Sequence, residues 1–301
     1  MVPTLLDIAK LDAGIGYPLI EEAVKLAPEL AVVPADTILG TTMELTVRTG
    51  LPTVRYRTAN EGVARSKSSY ETRTFQTHIL DHPIAVDAQV VDGARDRGRL
   101  LENHASGVVE ASMQYIGSQF YYGTGNDSKG FPGLLAQAKA DAAHVVDAGG
   151  AAAKSSVWFL RLGRECVEFL FGNNQTIRLQ DVWDLETVYD ADGNPYKAYT
   201  NWMTGRIGMR LANKHCAVRI KNVEESGAGK KMLNDSILYS AYEKFTEFGL
   251  EPTHIFMNGR SREQLRNSRT ATTTNGTPAP LPTEWEGIPI IRTASIANDE
   301  A

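Results

Sequence analysis

From residue 40 to residue 90 the chain alternates with period two, yet the middle of that stretch holds almost nothing that could build a core. Met43, Leu45 and Val47 alternate with Glu44, Thr46 and Arg48, and Val54 and Tyr56 alternate with Arg55 and Arg57. Residues 71–77 are again strand-like, and Ile84, Val86, Ala88 and Val90 alternate once more. Such a pattern puts one set of side chains on each face of a β-strand. Between the two arms, residues 59–69 carry Val63 as their one aliphatic side chain larger than alanine. A lone two-stranded ribbon is marginal in water. The chain must therefore fold into something that supports a long, polar-tipped hairpin from outside it. Arg55, Arg57, Arg65, Lys67 and Arg73 make this arm cationic, although the whole chain of 301 residues has a net charge of −5.

After the ribbon, the longest helical pattern runs over residues 95–120. Leu101, Ala105, Val108, Ser112, Tyr115 and Gln119 step by four or three, flanked by Leu100, Val109, Ile116 and Phe120. That spacing lines one helix face, and the helix is about 40 Å long at 1.5 Å per residue. Leu101, Val108 and Tyr115 are the expected packing positions, and Gly123 and Gly125 end the helix. Ahead of the ribbon, two short helices are expected, one over residues 4–10 and one from Pro18 with Ile20, Ala23, Val24 and Leu26, broken by Pro28 and Pro34. Beyond the long helix come a glycine-rich loop at 122–133 and strands at 157–160, 166–171 and 215–222. A turn at 190–195 lies among them. Asn234 or Asp235 caps a helix that ends near Gly249. A strand at 254–257, a short helix at 261–269, a low-complexity loop at 270–282 and a strand at 287–291 complete the reading.

Apolar residues are 42% and charged residues 22% of the chain, ordinary for a folded protein. The mild acidity argues against a protein that coats nucleic acid. No basic start with a long apolar run marks a signal peptide, and no apolar run reaches the roughly 20 residues that span a bilayer. Cys166 and Cys216 are too few and too far apart for a disulfide framework, so both are expected to be unpaired and buried, in a reducing compartment.

Motifs for chemistry are weak. Gly227 to Lys230 invites a phosphate-loop reading, but Glu224 stands where that loop needs its first glycine and Lys231 where it needs Ser or Thr. Gly123-Thr-Gly125 follows a helix, not the strand that a dinucleotide fingerprint requires. His78 and His82 are four apart, a metal spacing only on a helix, and Pro83 disfavours helix at His82. His215 and Cys216 are neighbours on an expected strand and point to opposite faces. Asp181, Asp184 and Glu186 cluster; a solvated face or intersubunit ion pairs explain them better than acid–base work. No catalytic residue, cofactor site or metal site is assigned.

The order of parts is the specific feature. A short arm, a polar ribbon over 40–90, a helix over 95–120, the loop Tyr122-Gly-Thr-Gly-Asn-Asp-Ser-Lys-Gly-Phe-Pro-Gly133 and mixed sheet follow one another. Late in the chain come the helix at 234–249, Ile255-Phe-Met-Asn-Gly-Arg-Ser and Trp285-Glu-Gly-Ile-Pro-Ile-Ile291. This order resembles the major capsid proteins of tailed bacteriophages, the Hong Kong 97-like fold. The resemblance implies an α+β chain with an N-terminal arm (1–39), an E-loop ribbon (40–80), a peripheral domain with a spine helix (81–224) and an axial domain (225–301), in permuted order. It implies a structural subunit, not an enzyme, that self-assembles as hexamers and pentamers into an icosahedral head around double-stranded DNA. Such a subunit is made in the host bacterial cytoplasm, ends in the virion, and binds neither DNA sequence-specifically nor a membrane. The ribbon's five cations are then expected at a subunit contact. The short arm implies a separate scaffolding protein, and a portal is a further expected partner. Lys67 does not align with a cross-linking lysine. An encapsulin-like compartment and a nucleotide-dependent enzyme using Gly227 to Lys230 are the alternatives.

Overall fold

The computed structural model describes residues 25, 27–174, 176–225, 231–271 and 278–300. The helices expected within residues 4–10 and from Pro18, and the loop from Gly227 to Lys230, lie outside the described residues. The first described helix is α1 (Glu29–Val32). Pro28 opens it instead of breaking a helix, its carbonyl accepting from Ala31 and Val32 at 3.0 Å. Proline suits that position because the first N–H groups of a helix have no intrahelical partner. The strands in chain order are β1 (Ala35–Thr37), β2 (Thr42–Gly50), β3 (Ser69–Gln76), β4 (His78–Asp87), β5 (Val145–Asp147), β6 (Ser155–Leu160) and β7 (Val167–Phe171). They continue with β8 (Arg178–Leu179), β9 (Asp184–Tyr189), β10 (Pro195–Leu211), β11 (Ala217–Val223), β12 (His254–Met257), β13 (Glu284–Trp285) and β14 (Ile288–Arg292). The other helices are α2 (Ala88–Gly93), α3 (Arg97–Tyr122), α4 (Leu134–Gln137), α5 (Asp235–Thr246) and α6 (Gly259–Ala271).

Two six-stranded sheets form the body. One runs β1-β7-β10-β4, with β8 and β9 also paired to β10; the other runs β13-β14-β12-β6-β11-β5. The chain leaves the second sheet after β6, builds β7 to β10 in the first, and returns as β11. Strands within 145–160 and 217–223 thus share a sheet with 254–292, so residue 225 is not where one sheet gives way to the other. The stretch expected to return is an excursion between two strands of one sheet.

The C-terminal half of α3 is packed into both sheets. Ile116, Phe120 and Tyr121 join Trp158, Leu160 and Phe256 of one sheet and Val167, Phe169, Ile207 and Met209 of the other in a single cluster. On the opposite face of the second sheet, Leu238, Ala241 and Phe245 of α5 and Leu265 of α6 cover Val157, Phe159, Val218 and Ile255. Each such side chain stabilises the fold by about 1.5–3 kcal/mol. Under the first sheet, Arg210 and Glu168 form a buried ion pair. Arg210 also donates to the Arg164 carbonyl at 2.8 Å.

Cys166 and Cys216, expected to be unpaired, are joined in a disulfide, their Cα atoms 5.4 Å apart. Sequence separation does not report distance: the end of β10 runs back beside Cys166, whose carbonyl accepts from the Ala212 N–H at 2.9 Å.

Glu29 ties the first described helix to the segment that follows β14. It is fully buried, and its Oε2 accepts from the Ser295 hydroxyl at 3.3 Å. Burial pushes its carboxyl above the ordinary 4.5, and the polar side chains of Thr293, Tyr121 and Ser295 around it offset only part of this. A carboxyl raised in the fold binds its proton more tightly folded than unfolded, so its contribution is largest in acid and is lost as pH rises through the folded value. Glu29→Gln is therefore expected to stabilise the protein at neutral pH, with a gain that shrinks as pH falls toward 4.5. Denaturant titrations at several pH values check this; a gain of the same size at every pH would contradict it.

Candidate assembly surface

The ribbon is built by β2 and β3, paired antiparallel from Thr42↔Gln76 to Gly50↔Ser69. Its base is anchored. Phe75 is buried against Ile38 and Leu170, with Met43 and Leu45 packed beside them, and the Thr77 N–H donates to the Thr41 carbonyl at 2.9 Å. Arg210 reaches Met43 Sδ at 2.9 Å from below. Past Gly50 and Ser69 the arm runs on without strand pairing to a turn in which the Glu61 N–H donates to the Thr58 carbonyl at 3.3 Å. The Thr58 hydroxyl donates to Glu61 Oε2 at 2.8 Å, which holds that carboxyl below its ordinary value. The expected strand at Val54 and Tyr56 is therefore not formed with any part of the described chain.

Arg55, Arg57, Arg65 and Lys67 all lie on this exposed tip. Among the described residues none of the four forms an ion pair; Arg57 donates to the Glu61 carbonyl at 3.1 Å. Arg73 departs from the expectation. It sits on β3 near the anchored base, donates to the Ala212 carbonyl at 2.7 Å and pairs with Glu71 at 3.0 Å. Its guanidinium is bound within its own subunit.

The long helix is displaced by two residues and turned relative to its expected packing face. It spans Arg97–Tyr122, with Asp96 capping it by accepting from the Arg99 N–H. The buried positions include Leu100, Ala105, Ile116, Gln119 and Phe120. Leu101 and Val108 are half-buried. Leu101 packs at the edge of a small cluster of Val86, Val90, Val91 and Leu100. Tyr115 is 41% exposed, and its hydroxyl donates to Asp127 Oδ2 at 2.5 Å, which keeps that carboxyl below its ordinary range. The helix leaves much of its middle open on one side, as the exposure of Glu102, Ser106, Gly107 and Ala111 records.

Gln119, read as one more step of the packing face, is a buried polar anchor. Its amide donates to the Phe131 carbonyl at 2.8 Å and the Asp127 carbonyl at 3.1 Å, and its oxygen accepts from Asn126. The glycine-rich loop is thereby folded back on the helix end. Gly123, at φ +52°, lies so close to Gly133 that a Cβ would collide with its backbone nitrogen, which explains the glycines at both places.

Among the described residues no group of three His, Cys, Asp or Glu side chains is arranged to hold a metal ion. The two histidines that do meet are a pair the sequence did not single out. His144, stacked on Phe248 at 4.7 Å between centroids, bonds Asp141 at 2.5 Å and His215 at 2.8 Å. Burial, Lys139 and His144 lower His215. Asp181, Asp184 and Glu186 stand exposed on and beside β9.

Comparison with known proteins places the fold. A family model described as major capsid protein GP7 matches residues 28–301. A structure of bacteriophage Epsilon15 aligns with a TM-score of 0.76 at 20% identity, covering 100% of this chain and 97% of that one. The bacteriophage JBD30 capsid aligns at 0.53 and 8% identity, covering 95% and 97%. The SrpI encapsulin from Synechococcus elongatus aligns at 0.48 and 8% identity, over 72% and 95%. No curated protein sequence matches. The fold is thus the α+β, Hong Kong 97-like one.

Proposed function

The chain belongs to the major capsid protein GP7 family, a structural component of the virion that associates with its own copies, and on that premise we propose how it builds the shell. Pentamers and hexamers close into an icosahedral head around double-stranded DNA, held in part by each ribbon tip lying across an acidic surface of the next subunit. The observation that carries this is the arm itself: a tip of exposed, unpaired cations on a hairpin too poor in apolar residues to hold its own shape. Such an arm is supported by a neighbour. Exposed ion pairs are worth about 0.2–1 kcal/mol each, so several must act together. The net charge of −5 suits a wall that encloses DNA without gripping it. Assembly takes place in the host bacterial cytoplasm with a separate scaffolding protein and a portal. No helix among the described residues is long and apolar enough to cross a membrane.

Changing Arg55, Arg57, Arg65 and Lys67 together to Glu is expected to leave folded subunits that sediment as small species, whereas the unaltered protein sediments as large particles. Raising the salt should weaken the unaltered assembly in the same direction, since screening acts on exposed charges. Large particles of normal yield from the fourfold variant would contradict the electrostatic account.

A further inference from the structure

We propose that the outer edge of β9 receives the ribbon tip of a neighbouring copy, with residues 53–57 adding to the first sheet as a further strand. This rests on reading the ribbon as an intersubunit arm, and it names the landing site.

The edge is open. β9 bonds to β10 on one side, from Pro195↔Tyr189 to Thr200↔Asp184, and among the described residues no strand pairs with its other side. An open edge presents unpaired N–H and C=O groups to any second strand. Edges that must stay single are blunted by charged side chains, above all lysine, by proline or by a bulge; the charges here, Asp184 and Glu186, repel an acidic strand but favour a cationic one. Residues 182–189, Val-Trp-Asp-Leu-Glu-Thr-Val-Tyr, contain neither lysine nor proline, and the pairing with β10 is regular. Val182, Leu185 and Tyr189 are 64%, 53% and 68% exposed, apolar area that a docked strand would cover. The sheet's other borders suit an incoming strand less: β1 has three residues and β4 carries Pro83 at an exposed position.

The tip offers the matching half. Strand pairing stops at Gly50↔Ser69, so the backbone of residues 51–57 has no backbone partner among the described residues. Val54 and Tyr56 stand 89% and 106% exposed. Residues 51–68 carry four cations and one carboxylate, Glu61, whereas residues 178–193 carry Arg178 against Asp181, Asp184, Glu186, Asp190 and Asp192. The phase agrees as well as the charge. Setting Tyr56 opposite Leu185 puts Arg55 and Arg57 opposite Asp184 and Glu186 whichever way the strands run, because both segments alternate charged and apolar residues with period two. A slip of one residue would set one arginine against Leu185 and the other against Trp183 or Thr187, losing both matches. Each carboxylate already accepts one bond from its own chain, Asp184 from Gln180 at 2.9 Å and Glu186 from Thr200 at 3.1 Å, which holds it at the edge. Adding a strand to an exposed edge, with side chains setting the register, is a known mode of recognition between chains.

Full-length protein carrying Tyr56→Cys with Leu185→Cys, assembled and mildly oxidised, is expected to give a ladder of covalent oligomers on a non-reducing denaturing gel. Tyr56→Cys with Met113→Cys, the latter on the exposed face of α3, is expected to give none. Cys166 and Cys216 adjoin each other and are both buried, so neither competes with the introduced thiols. Normal shells in which the second pair cross-links and the first does not would overturn the landing site while leaving the intersubunit arm intact, as would normal shells that cross-link in neither. A wild-type protein that forms no assemblies even with its scaffolding protein present would instead defeat the shell reading itself. If the cysteine variants fail to assemble, a charge exchange decides: Arg55→Glu with Arg57→Glu should lose assembly, and adding Asp184→Arg with Glu186→Arg should restore it. Failure of that rescue in folded protein overturns the proposal.

Discussion

Deleting residues 60–69 and closing the gap with two glycines is expected to leave a folded, soluble subunit that no longer closes into shells. Residues 60–67 are all exposed. Their hydrogen bonds to the rest of the chain stay within the tip: Glu61 with Thr58, Arg57 with the Glu61 carbonyl, and Ser66 with the Thr53 carbonyl. The part of the ribbon that belongs to the subunit's own core lies far from the cut, at Phe75, Met43 and Leu45. The β2–β3 pairing from Thr42↔Gln76 to Arg48↔Tyr70 also remains. The fold therefore loses almost nothing that it buries, while the assembly loses two of its four cations and the turn that presents the others. Circular dichroism and thermal melting should match the intact protein, and electron microscopy should find no closed particles. Normal shells would contradict the role of the tip, and global unfolding would make the tip part of its own subunit's core.

Phe120→Ala is expected to cost about 3–5 kcal/mol, the range for truncating a buried phenylalanine. Phe120 is fully buried at the point where the long helix meets the first sheet, its ring 5.3 Å from that of Phe169 and 5.1 Å from that of Tyr121. The neighbours come from separate elements and cannot all close on the void, so the lost contacts are not regained. Against a total of about 5–15 kcal/mol, that loss should reduce soluble yield sharply. Val108→Asp is the contrasting variant: Val108 is half-buried and belongs to no buried cluster, so its charge stays within reach of water and the protein should remain soluble. Chemical denaturation of both variants measures the difference. Equal loss in the two would mean that the helix packs on its Leu101–Val108–Tyr115 face after all.

The sequence carried the ribbon and the long helix because each has a clear period and clear punctuation. Asn234 is a cap that side-chain chemistry makes recognisable, whereas the cap of the long helix, Asp96, lies inside the range 95–120 that its period suggests. Other elements were hidden for physical reasons. Ala88 and Val90 continue the alternation of Ile84 and Val86, yet Asp87 accepts from the Gln89 N–H and starts α2 there. A few residues of alternation cannot tell a strand from the first turn of a helix. The 17-residue β10 was missed because Gly205, Gly208 and several polar residues interrupt its pattern. Gly208 is required by contact, since a Cβ there would lie 2.6 Å from the Gln76 carbonyl oxygen. The face of the long helix was misjudged because Leu100 and Leu101 are both apolar and periodicity alone does not choose between adjacent rows. The cationic tip was legible from composition, whereas the pairing of Arg73 with Ala212 and the meeting of His144 with His215 depend on distances that only the fold sets.

Cryo-electron microscopy of the particles that the chain forms in bacteria shows where each ribbon tip lies. Curved or closed assemblies of five and six copies are expected, with density for residues 51–68 of each copy lying on the acidic strand of the next. Protein that stays monomeric at every concentration with the scaffolding protein present, or shells whose ribbon tips project into solvent without touching a neighbour, would contradict this.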